Sequence, residues 1–297
     1  NEVDRPKFIR DRGNCLTCHA SSRTQNVPGH LVRSVYPALD GQPHYGAGTF
    51  LTNHASPLEQ RWGGWYVTGS HGKQRHMGHV VSKDADRPDQ LDVESGANLR
   101  ELERIVSLRG YLSGHSDIVA LLVFEHQTEM HNLITNANYT TRIALHQSHS
   151  MNKVLERPAD YVSESTQRRI DNAAEKLVKY MLFADEVELT DPIEGTSGFA
   201  AEFAARGPRD RLGRSLRDFD LQTRMFKYPC SYLIYSEAFD ALPAEARSRV
   251  YRRLWDILVG GDTDEAFSHL SKQDRRAILE ILRETKEGLP DYWQANS

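Results

Sequence analysis

Two cysteines separated by two residues, with a histidine directly after them, stand near the start of the chain as Cys15-Leu16-Thr17-Cys18-His19. Thiols at this spacing can each add to one vinyl group of a porphyrin, and the adjacent imidazole can then ligate the iron. This pattern is the attachment signature of a c-type haem. It predicts one covalently bound haem c, held by Cys15 and Cys18, with His19 as the proximal ligand.

Two other cysteine chemistries fit the motif less well. A redox Cys-x-x-Cys pair is expected beside a strand–helix unit, and no strand pattern precedes Cys15. A structural zinc ion needs four ligands, and because the chain has no second Cys-x-x-Cys, distant histidines would have to complete the site. The remaining cysteine, Cys230, follows an aromatic residue and a proline, which indicates a buried structural thiol.

The second axial ligand of the iron is expected from the segment that holds His71, His76, Met77 and His79. Met77 follows His19 by 58 residues, and its thioether is a soft, neutral ligand that favours reduced iron. We predict that Met77 is the distal ligand. The alternatives are that one of the three histidines is the ligand or that the iron is open. If Met77 does not bind iron, we expect it to be an ordinary core methionine.

Four residues around this segment are predicted to contact the haem. Trp62 and Trp65 have flat side chains that could wall a porphyrin, while Arg61 and Arg75 carry guanidinium groups that match propionate carboxylates. The same four residues would also suit a small aromatic core with solvated arginines, so this choice stays open.

The attachment motif and the Met77 loop together resemble the c-type cytochrome family, class I, over roughly residues 5–95. The stretches 61–69 and 227–236 also resemble uncharacterised bacterial proteins that carry a cytochrome c domain. This chain departs from the family in its long glycine-rich middle and in lacking an obvious helix directly after Met77. Di-haem peroxidases, which carry two attachment motifs, resemble it less. The resemblance implies a cytochrome c-like haem domain and one-electron transfer.

The distribution of glycine, proline and apolar residues divides the chain near residue 95. Glycines and prolines between residues 21 and 80 favour turns and loops, whereas later apolar residues follow helical spacing. Helices are predicted over 99–112 and 116–151, from Ser163, and from Pro243. We therefore predict a mainly α protein. A c-type haem-binding domain with a long loop-rich middle (1–95) precedes an all-helical domain of unknown role (96–297).

The longest predicted helix carries a second group of residues that could ligate a metal. His126 and Glu129 are three residues apart, as are His146 and His149, so each pair shares a helix face. These four could hold a second metal ion or reach the distal side of the haem. Alternatively, they form a polar face with one or two core histidines. The usual Glu-x-x-His bundle motif is absent, which favours the polar face, although Glu125 and His126 lie beside apolar residues and need partners there.

Composition restricts the partners and the location of the protein. The net charge of −4 gives no reason to expect nucleic acid or an anionic membrane as partner, and no apolar run approaches the length of a transmembrane helix. Haem c is normally attached outside the cytoplasm, and the chain opens at Asn1 without a signal peptide. We therefore expect a processed protein, or the end of a longer one, that is periplasmic or otherwise exported.

Three functions follow from these residues. The first is one-electron transfer between redox partner proteins, with the helical domain docking a partner or anchoring the haem unit in a larger assembly. The alternative is a peroxidase-like haem enzyme with an open or displaceable distal iron site, and the third is a module that binds a small gas. The coordination of the iron discriminates among them.

Overall fold

Helices dominate the architecture of the chain. The computed structural model describes residues 10, 12–262 and 264–294, with 43% helix and 5% strand, so the predicted mainly α class is confirmed. The α-helices are α1 (Leu16–His19), α2 (Ile118–Val154), α3 (Glu164–Met181), α4 (Phe199–Ala205), α5 (Glu237–Asp240), α6 (Ala244–Leu258) and α7 (Lys272–Thr285). The strands are β1 (Arg33–Val35) and β2 (Thr49–Leu51), and short 3₁₀ helices cover Ser22–Thr24, Tyr45–Ala47, Leu58–Gln60, Leu102–Arg104, Tyr232–Tyr235, Glu265–Phe267 and Asp291–Trp293.

Helix α2 is the longest element, with 37 residues. Asp117 precedes it in an extended conformation and accepts hydrogen bonds from the backbone N–H groups of Val119 and Ala120. Such a side chain satisfies amide groups that have no partner inside the first turn. The carboxylate of Asp117 also accepts the backbone N–H groups of Thr196 and Ser197. One residue therefore starts α2 and holds a distant loop against it.

The remaining long helices pack in layers on α2. Helix α3 lies against α2, α6 lies against α3, and α7 lies against α6. Each buries one apolar stripe, as expected for an amphipathic helix in a globular protein. The buried stripe of α3 comprises Ile170, Ala173, Ala174, Leu177, Val178 and Met181.

Two short strands and several turns form the part of the chain that precedes α2. Strands β1 and β2 pair antiparallel, with Ser34 opposite Phe50. The intervening and following segments are loops with 3₁₀ turns, as the glycine and proline content predicts. Between residues 12 and 95 the structure thus has none of the long helices that would normally build a core of their own.

The loop-rich part and the helices share one hydrophobic core. Leu58, Trp62 and Val67 are buried in the same apolar cluster as the inner faces of α2 and α3. Thr68 continues this connection, since its N–H donates to the Ser116 carbonyl and its carbonyl accepts the N–H of Ile118. The predicted boundary at residue 95 therefore does not separate two hydrophobic cores.

Candidate functional site

The attachment motif forms a single exposed turn. Cys15 precedes α1, and the His19 N–H donates to the Cys15 carbonyl over 2.9 Å. Cys15 and His19 are exposed, and Cys18 is half-buried. The helical turn therefore places two thiols and an imidazole within one small surface region that a large planar group could approach.

The ring of His19 is oriented by the loop that follows the motif. Its Nδ1 lies 3.0 Å from the Gly29 carbonyl oxygen, and the Gly29 N–H donates to the His19 carbonyl over 2.9 Å. A neutral imidazole that donates from Nδ1 keeps the lone pair of Nε2 for a hydrogen-bond donor or a metal ion. A metal-binding histidine commonly donates its other ring N–H to a backbone carbonyl in this way. The geometry therefore suits Nε2 as a metal ligand.

The loop after the motif is fastened to α2 by side-chain hydrogen bonds. The Asn132 side chain accepts the His30 N–H at 3.0 Å and donates to the His30 carbonyl at 2.7 Å. One turn away on either side, Glu129 accepts from the Gln25 amide and Asn136 donates to the Gln25 carbonyl. These contacts fix the attachment segment on a rigid helix.

Gly29 permits this close approach to α2. A Cβ atom at position 29 would lie 2.3 Å from Oδ1 of Asn132, well inside any real carbon–oxygen contact. The residue that orients His19 can therefore sit against α2 only because it has no side chain.

A cleft of about 180 Å³ lies beside the motif, and its walls include Arg23, Leu51, Thr52 and Glu129. The guanidinium of Arg23 also lies 3.8 Å from Sγ of Cys18. The apolar side chain of Leu51, at the wall of this cleft, is 41% exposed. The surroundings of the motif thus offer both apolar surface and a cation, which are the contacts that a porphyrin with propionates uses.

Met77, the predicted distal ligand, lies inside the protein. It is only 3% exposed, and its Sδ lies 3.7 Å from Oγ of Ser34. Its N–H donates to the Arg61 carbonyl, and its methyl group would lie 3.0 Å from a Cβ at Gly63. In this environment Met77 packs as a core methionine.

The three neighbouring histidines also have partners of their own. His71 donates from Nδ1 to the Gln74 carbonyl and accepts the Asn98 N–H at Nε2. Nδ1 of His76 accepts the Gly78 N–H, and burial lowers the pKa of His76 to about 3. His79 contacts the Val67 backbone through Nε2. Within the described part of the chain, the hydrogen bonds and ring contacts of these histidines and of Met77 involve no residue of the attachment segment 12–30.

The two arginines that were predicted to pair with propionates form ion pairs with glutamates instead. Arg61 is 2% exposed, and its Nη1 lies 3.0 Å from Oε2 of Glu125, which is fully buried. Arg75 makes a two-pronged pair with Glu94 at the surface, through its Nε (2.9 Å) and Nη2 (2.7 Å). Their guanidinium groups already have carboxylate partners from the chain itself.

The two tryptophans that were predicted to wall the haem pack in or against the core, and not at the surface around the motif. Trp62 is fully buried and belongs to the shared apolar cluster. Trp65 packs against that cluster and donates from its indole N–H to the Arg33 carbonyl over 2.8 Å. Both therefore match the aromatic core that was the alternative to a haem wall.

The four residues of the predicted second metal site do not come together. His126 is fully buried, whereas His146 and His149 are exposed, and 20 residues of helix separate His126 from His146 by about 30 Å. Glu129 is occupied by Gln25 and Asn132. Among the residues described by the structure, no group of three or more His, Cys, Asp or Glu side chains is placed to hold a metal ion.

A buried polar cluster in the core was not predicted as a unit. His54 and His126 stack beside each other, with their Nδ1 atoms 2.9 Å apart, and the ring of Tyr180 stacks on His54 at 4.0 Å between centroids. Nε2 of His126 lies 2.8 Å from Oγ of Ser231. Burial lowers the pKa of His54 and His126, and for His126 to about 3. Both rings are therefore neutral in the folded protein.

The Arg61–Glu125 pair lies next to these histidines. Glu125 also accepts the hydroxyl of Thr52 at 2.6 Å, and Arg61 donates to the His54 carbonyl at 3.0 Å. Burial raises the pKa of Glu125, while the charge of Arg61 and these hydrogen bonds act in the opposite direction. The sequence signal for this cluster was the placement of Glu125 and His126 inside an apolar helix, but nothing in the sequence marked Arg61 and His54 as their partners.

Comparison with known proteins adds no relative to this chain: no family model, no curated protein and no solved structure matches it. Within the described residues, none of the helices combines the length and the apolar character needed to cross a membrane. The function of the chain must therefore be argued from its own residues.

Proposed function

We propose that the protein carries one haem c, attached through Cys15 and Cys18, with His19 as the proximal ligand. The observation that supports this most is the pairing of the thiol spacing with the orientation of His19. Nδ1 of His19 faces the Gly29 carbonyl at 3.0 Å, so Nε2 is the nitrogen that remains for iron. Asn132 then fixes that loop on α2, which limits how far the ring can turn.

The proposed activity is one-electron transfer between partner proteins. A bound haem c supplies a one-electron iron couple. The contribution of the chain is to present the attachment turn at the surface, since Cys15 and His19 are exposed. A site that a partner protein can approach closely suits transfer of an electron better than chemistry that must exclude water. The helices would serve as the rigid support, or dock a partner or a larger assembly.

One observation favours the second candidate, a peroxidase-like enzyme or another protein with displaceable iron. Met77, His71, His76 and His79 are held by neighbours outside the attachment segment. A weakly held or open distal position follows if these contacts persist when haem is bound. Met77 remains the proposed distal ligand, because it follows His19 by 58 residues, and this is the ligand to test first.

The location of the protein is part of the same proposal. Covalent attachment of haem c takes place outside the cytoplasm in most bacteria, so we propose a periplasmic or otherwise exported protein. Fractionation of cells that express the full-length protein tests this. Haem-loaded protein in the periplasmic fraction is the expected result, and haem-loaded protein in the cytosol would contradict it.

Covalent attachment can be tested with cysteine variants expressed together with a c-type haem maturation system. The variant with Cys15→Ser and Cys18→Ser should release all its haem into acidified acetone, whereas the parent protein should retain it and give a c-type pyridine haemochrome spectrum. Cys230→Ala is the matched control, because Cys230 is fully buried and remote from the motif in sequence. Haem that resists extraction from the double variant would end the proposal.

The distal ligand is tested with a replacement that preserves packing. Met77→Leu keeps the volume of a buried side chain but removes the sulfur. If Met77 binds iron, the methionine-to-iron absorption band disappears, the potential falls and carbon monoxide binds readily. If Met77→Leu leaves the spectrum unchanged while His71→Ala or His76→Ala alters it, a histidine is the ligand. Rapid binding of peroxide by the unaltered protein would favour the enzyme.

A further inference from the structure

A small cavity lies beside the buried histidine pair. The space in which the centre of a water molecule fits has a volume of about 10 Å³. His54, Arg61 and Glu186 line it together with apolar side chains. This volume is close to the minimum that holds one water molecule. The polar groups around it supply both hydrogen-bond donors and an acceptor, so the cavity differs from the dry apolar voids of protein cores.

His54 brings an unpartnered nitrogen to this cavity. The side chain is 1% exposed, and its Nδ1 faces His126 at 2.9 Å, so Nε2 is the ring nitrogen left for the cavity side. Among the described residues no protein atom forms a hydrogen bond with Nε2, although the Ala184 backbone lies close enough to favour the protonated ring. A buried polar atom without a partner destabilises the folded protein, so this nitrogen favours a bound water molecule.

The direction of the hydrogen bonds determines what His54 presents. Oγ of Ser231 accepts the Leu233 N–H, and its hydroxyl hydrogen is free to donate to Nε2 of His126. A neutral His126 then carries its hydrogen on Nδ1 and donates to Nδ1 of His54. It follows that a neutral His54 carries its hydrogen on Nε2, pointing away from His126. With the hydrogens assigned in this direction, the histidine chain ends in an N–H donor at the cavity.

Glu186 lines this cavity and also a cleft that opens to the surface. It lines a wider cleft of about 480 Å³ whose walls include His269, Arg224 and Glu265. One carboxylate oxygen of Glu186 accepts the Met225 N–H at 2.9 Å. Burial raises the pKa of Glu186 to about 7. The carboxyl is therefore both in contact with the cleft and able to change its charge near neutral pH.

We propose that the cavity is a binding site for one water molecule, which joins Nε2 of His54 to the Glu186 carboxyl, and that Glu186 exchanges a proton with solvent through the cleft. In the ionised state, His54 donates to the water and the water donates to the carboxylate. Protonation of Glu186 adds one proton from solvent, and no bond elsewhere in the histidine chain has to break. This site is separate from the haem proposal and does not depend on it.

The charges around the two ends of the site are consistent with this assignment. Burial is the main cause that lowers the pKa of His54, and the nearby Arg61 guanidinium acts in the same direction, so His54 stays neutral. Arg224 and Arg61 favour the ionised form of Glu186, while Asp220 opposes it. The proton that exchanges near neutral pH therefore belongs to the carboxyl and not to the imidazole.

A crystal structure of the full chain at high resolution tests the water directly. We expect one ordered water within hydrogen-bond distance of both Nε2 of His54 and a carboxyl oxygen of Glu186. A cavity without density for water, or a direct contact between Nε2 and a backbone carbonyl, would overturn the proposal. This measurement needs no variant and is therefore independent of any effect of mutation on folding.

Infrared spectroscopy tests the exchange of the proton. The carboxylic acid band of Glu186 should disappear as the pH rises through about 7. It should be absent from Glu186→Gln and unchanged in Glu188→Gln, a matched control because Glu188 lines the same cavity but is exposed. His54→Phe keeps the ring and removes the donor, and should shift the midpoint upward by about one pH unit. A midpoint that is the same in His54→Phe and the parent would refute the link through water.

Discussion

Replacing Arg61 by methionine should reveal how strongly the buried ion pair determines stability. Arg61 is 2% exposed and is the cation that faces the fully buried Glu125 at 3.0 Å. Its Nε and Nη2 also donate to the Ser56 carbonyl, at 2.8 and 2.6 Å. Arg61→Met retains much of the aliphatic volume but leaves the Glu125 carboxylate and the Ser56 carbonyl without the N–H donors of the guanidinium. Removing one member of a buried pair typically costs about 3–5 kcal/mol.

The pH dependence of this loss follows from Glu125. Without Arg61, the buried carboxyl can avoid its charge by binding a proton, because burial already raises its pKa. Protonating a group whose ordinary pKa is 4.5 costs about 3.4 kcal/mol at pH 7 and about 0.7 kcal/mol at pH 5. A raised folded-state pKa therefore gives stability at low pH that is lost as the pH rises. The deficit of Arg61→Met relative to the parent should shrink by more than half between pH 7 and pH 5.

Urea unfolding of parent and variants at both pH values measures these differences. Arg75→Met is the matched control, because it breaks the Arg75–Glu94 pair, in which Glu94 is 70% exposed, and water screens an exposed pair so well that its loss should change stability little at either pH. The double variant with Arg61→Met and Glu125→Gln should lose the pH dependence. A deficit below about 1 kcal/mol for Arg61→Met at pH 7, or one that stays constant down to pH 5, would refute this account of the core.

Two further predictions concern the core and the histidine pair. Gly63→Ala should destabilise the protein strongly, because its Cβ would lie 2.0 Å from the Val35 carbonyl oxygen. Gly46→Ala, whose Cβ would have no atom within 4 Å, should leave the melting temperature nearly unchanged. Equal melting temperatures for the two variants would contradict this account of the packing. His126 is held neutral by burial, with its pKa lowered to about 3, so stability should fall below pH 6.5, by about 1.4 kcal/mol per pH unit for this group. Urea midpoints measured between pH 7 and pH 5 should show a shallower decline in His126→Gln than in His146→Gln, and equal slopes would contradict the argument.

The helix starts could be predicted because their signals are local. Asp117 and Ser163 begin α2 and α3 by accepting backbone N–H groups of their own first turns, and each was placed correctly or within two residues from the sequence. Pro243, read as the first helical residue, precedes α6 directly. Cys230 is fully buried, as its aromatic neighbours indicated, and burial raises the pKa of its thiol to about 12.

The helix predicted over 99–112 was wrong, since the structure has only a 3₁₀ turn at Leu102–Arg104 there. The apolar spacing was helical, but Gly110 has φ of +93° and ends any continuous helix at that point. In a segment this short, apolar residues at helical spacing can occur without a helix. The buried Leu102 shows that the segment still contributes to packing.

The core polar cluster could not be predicted, because its contacts join residues far apart in the chain. Arg61 and Glu125 are 64 residues apart, and His54 and His126 are 72 apart. No local rule of spacing connects such residues. The same limit explains the assignment of Arg61 to a propionate, since a guanidinium near tryptophans fits both environments until the fold places Glu125 opposite it.

The polar residues of α2 explain how a loop-rich segment can be ordered without a large core of its own. Glu125, Glu129, Asn132 and Asn136 follow one another at intervals of three or four residues, so they lie along one side of the helix. Glu125 binds Thr52 and Arg61 at one end of this row, and the other three bind Gln25 and His30 beside the attachment motif. A single helix thus holds two separate parts of the loop region through its own side chains. The position of His19 is consequently set by α2 rather than by the four-residue helix that contains it.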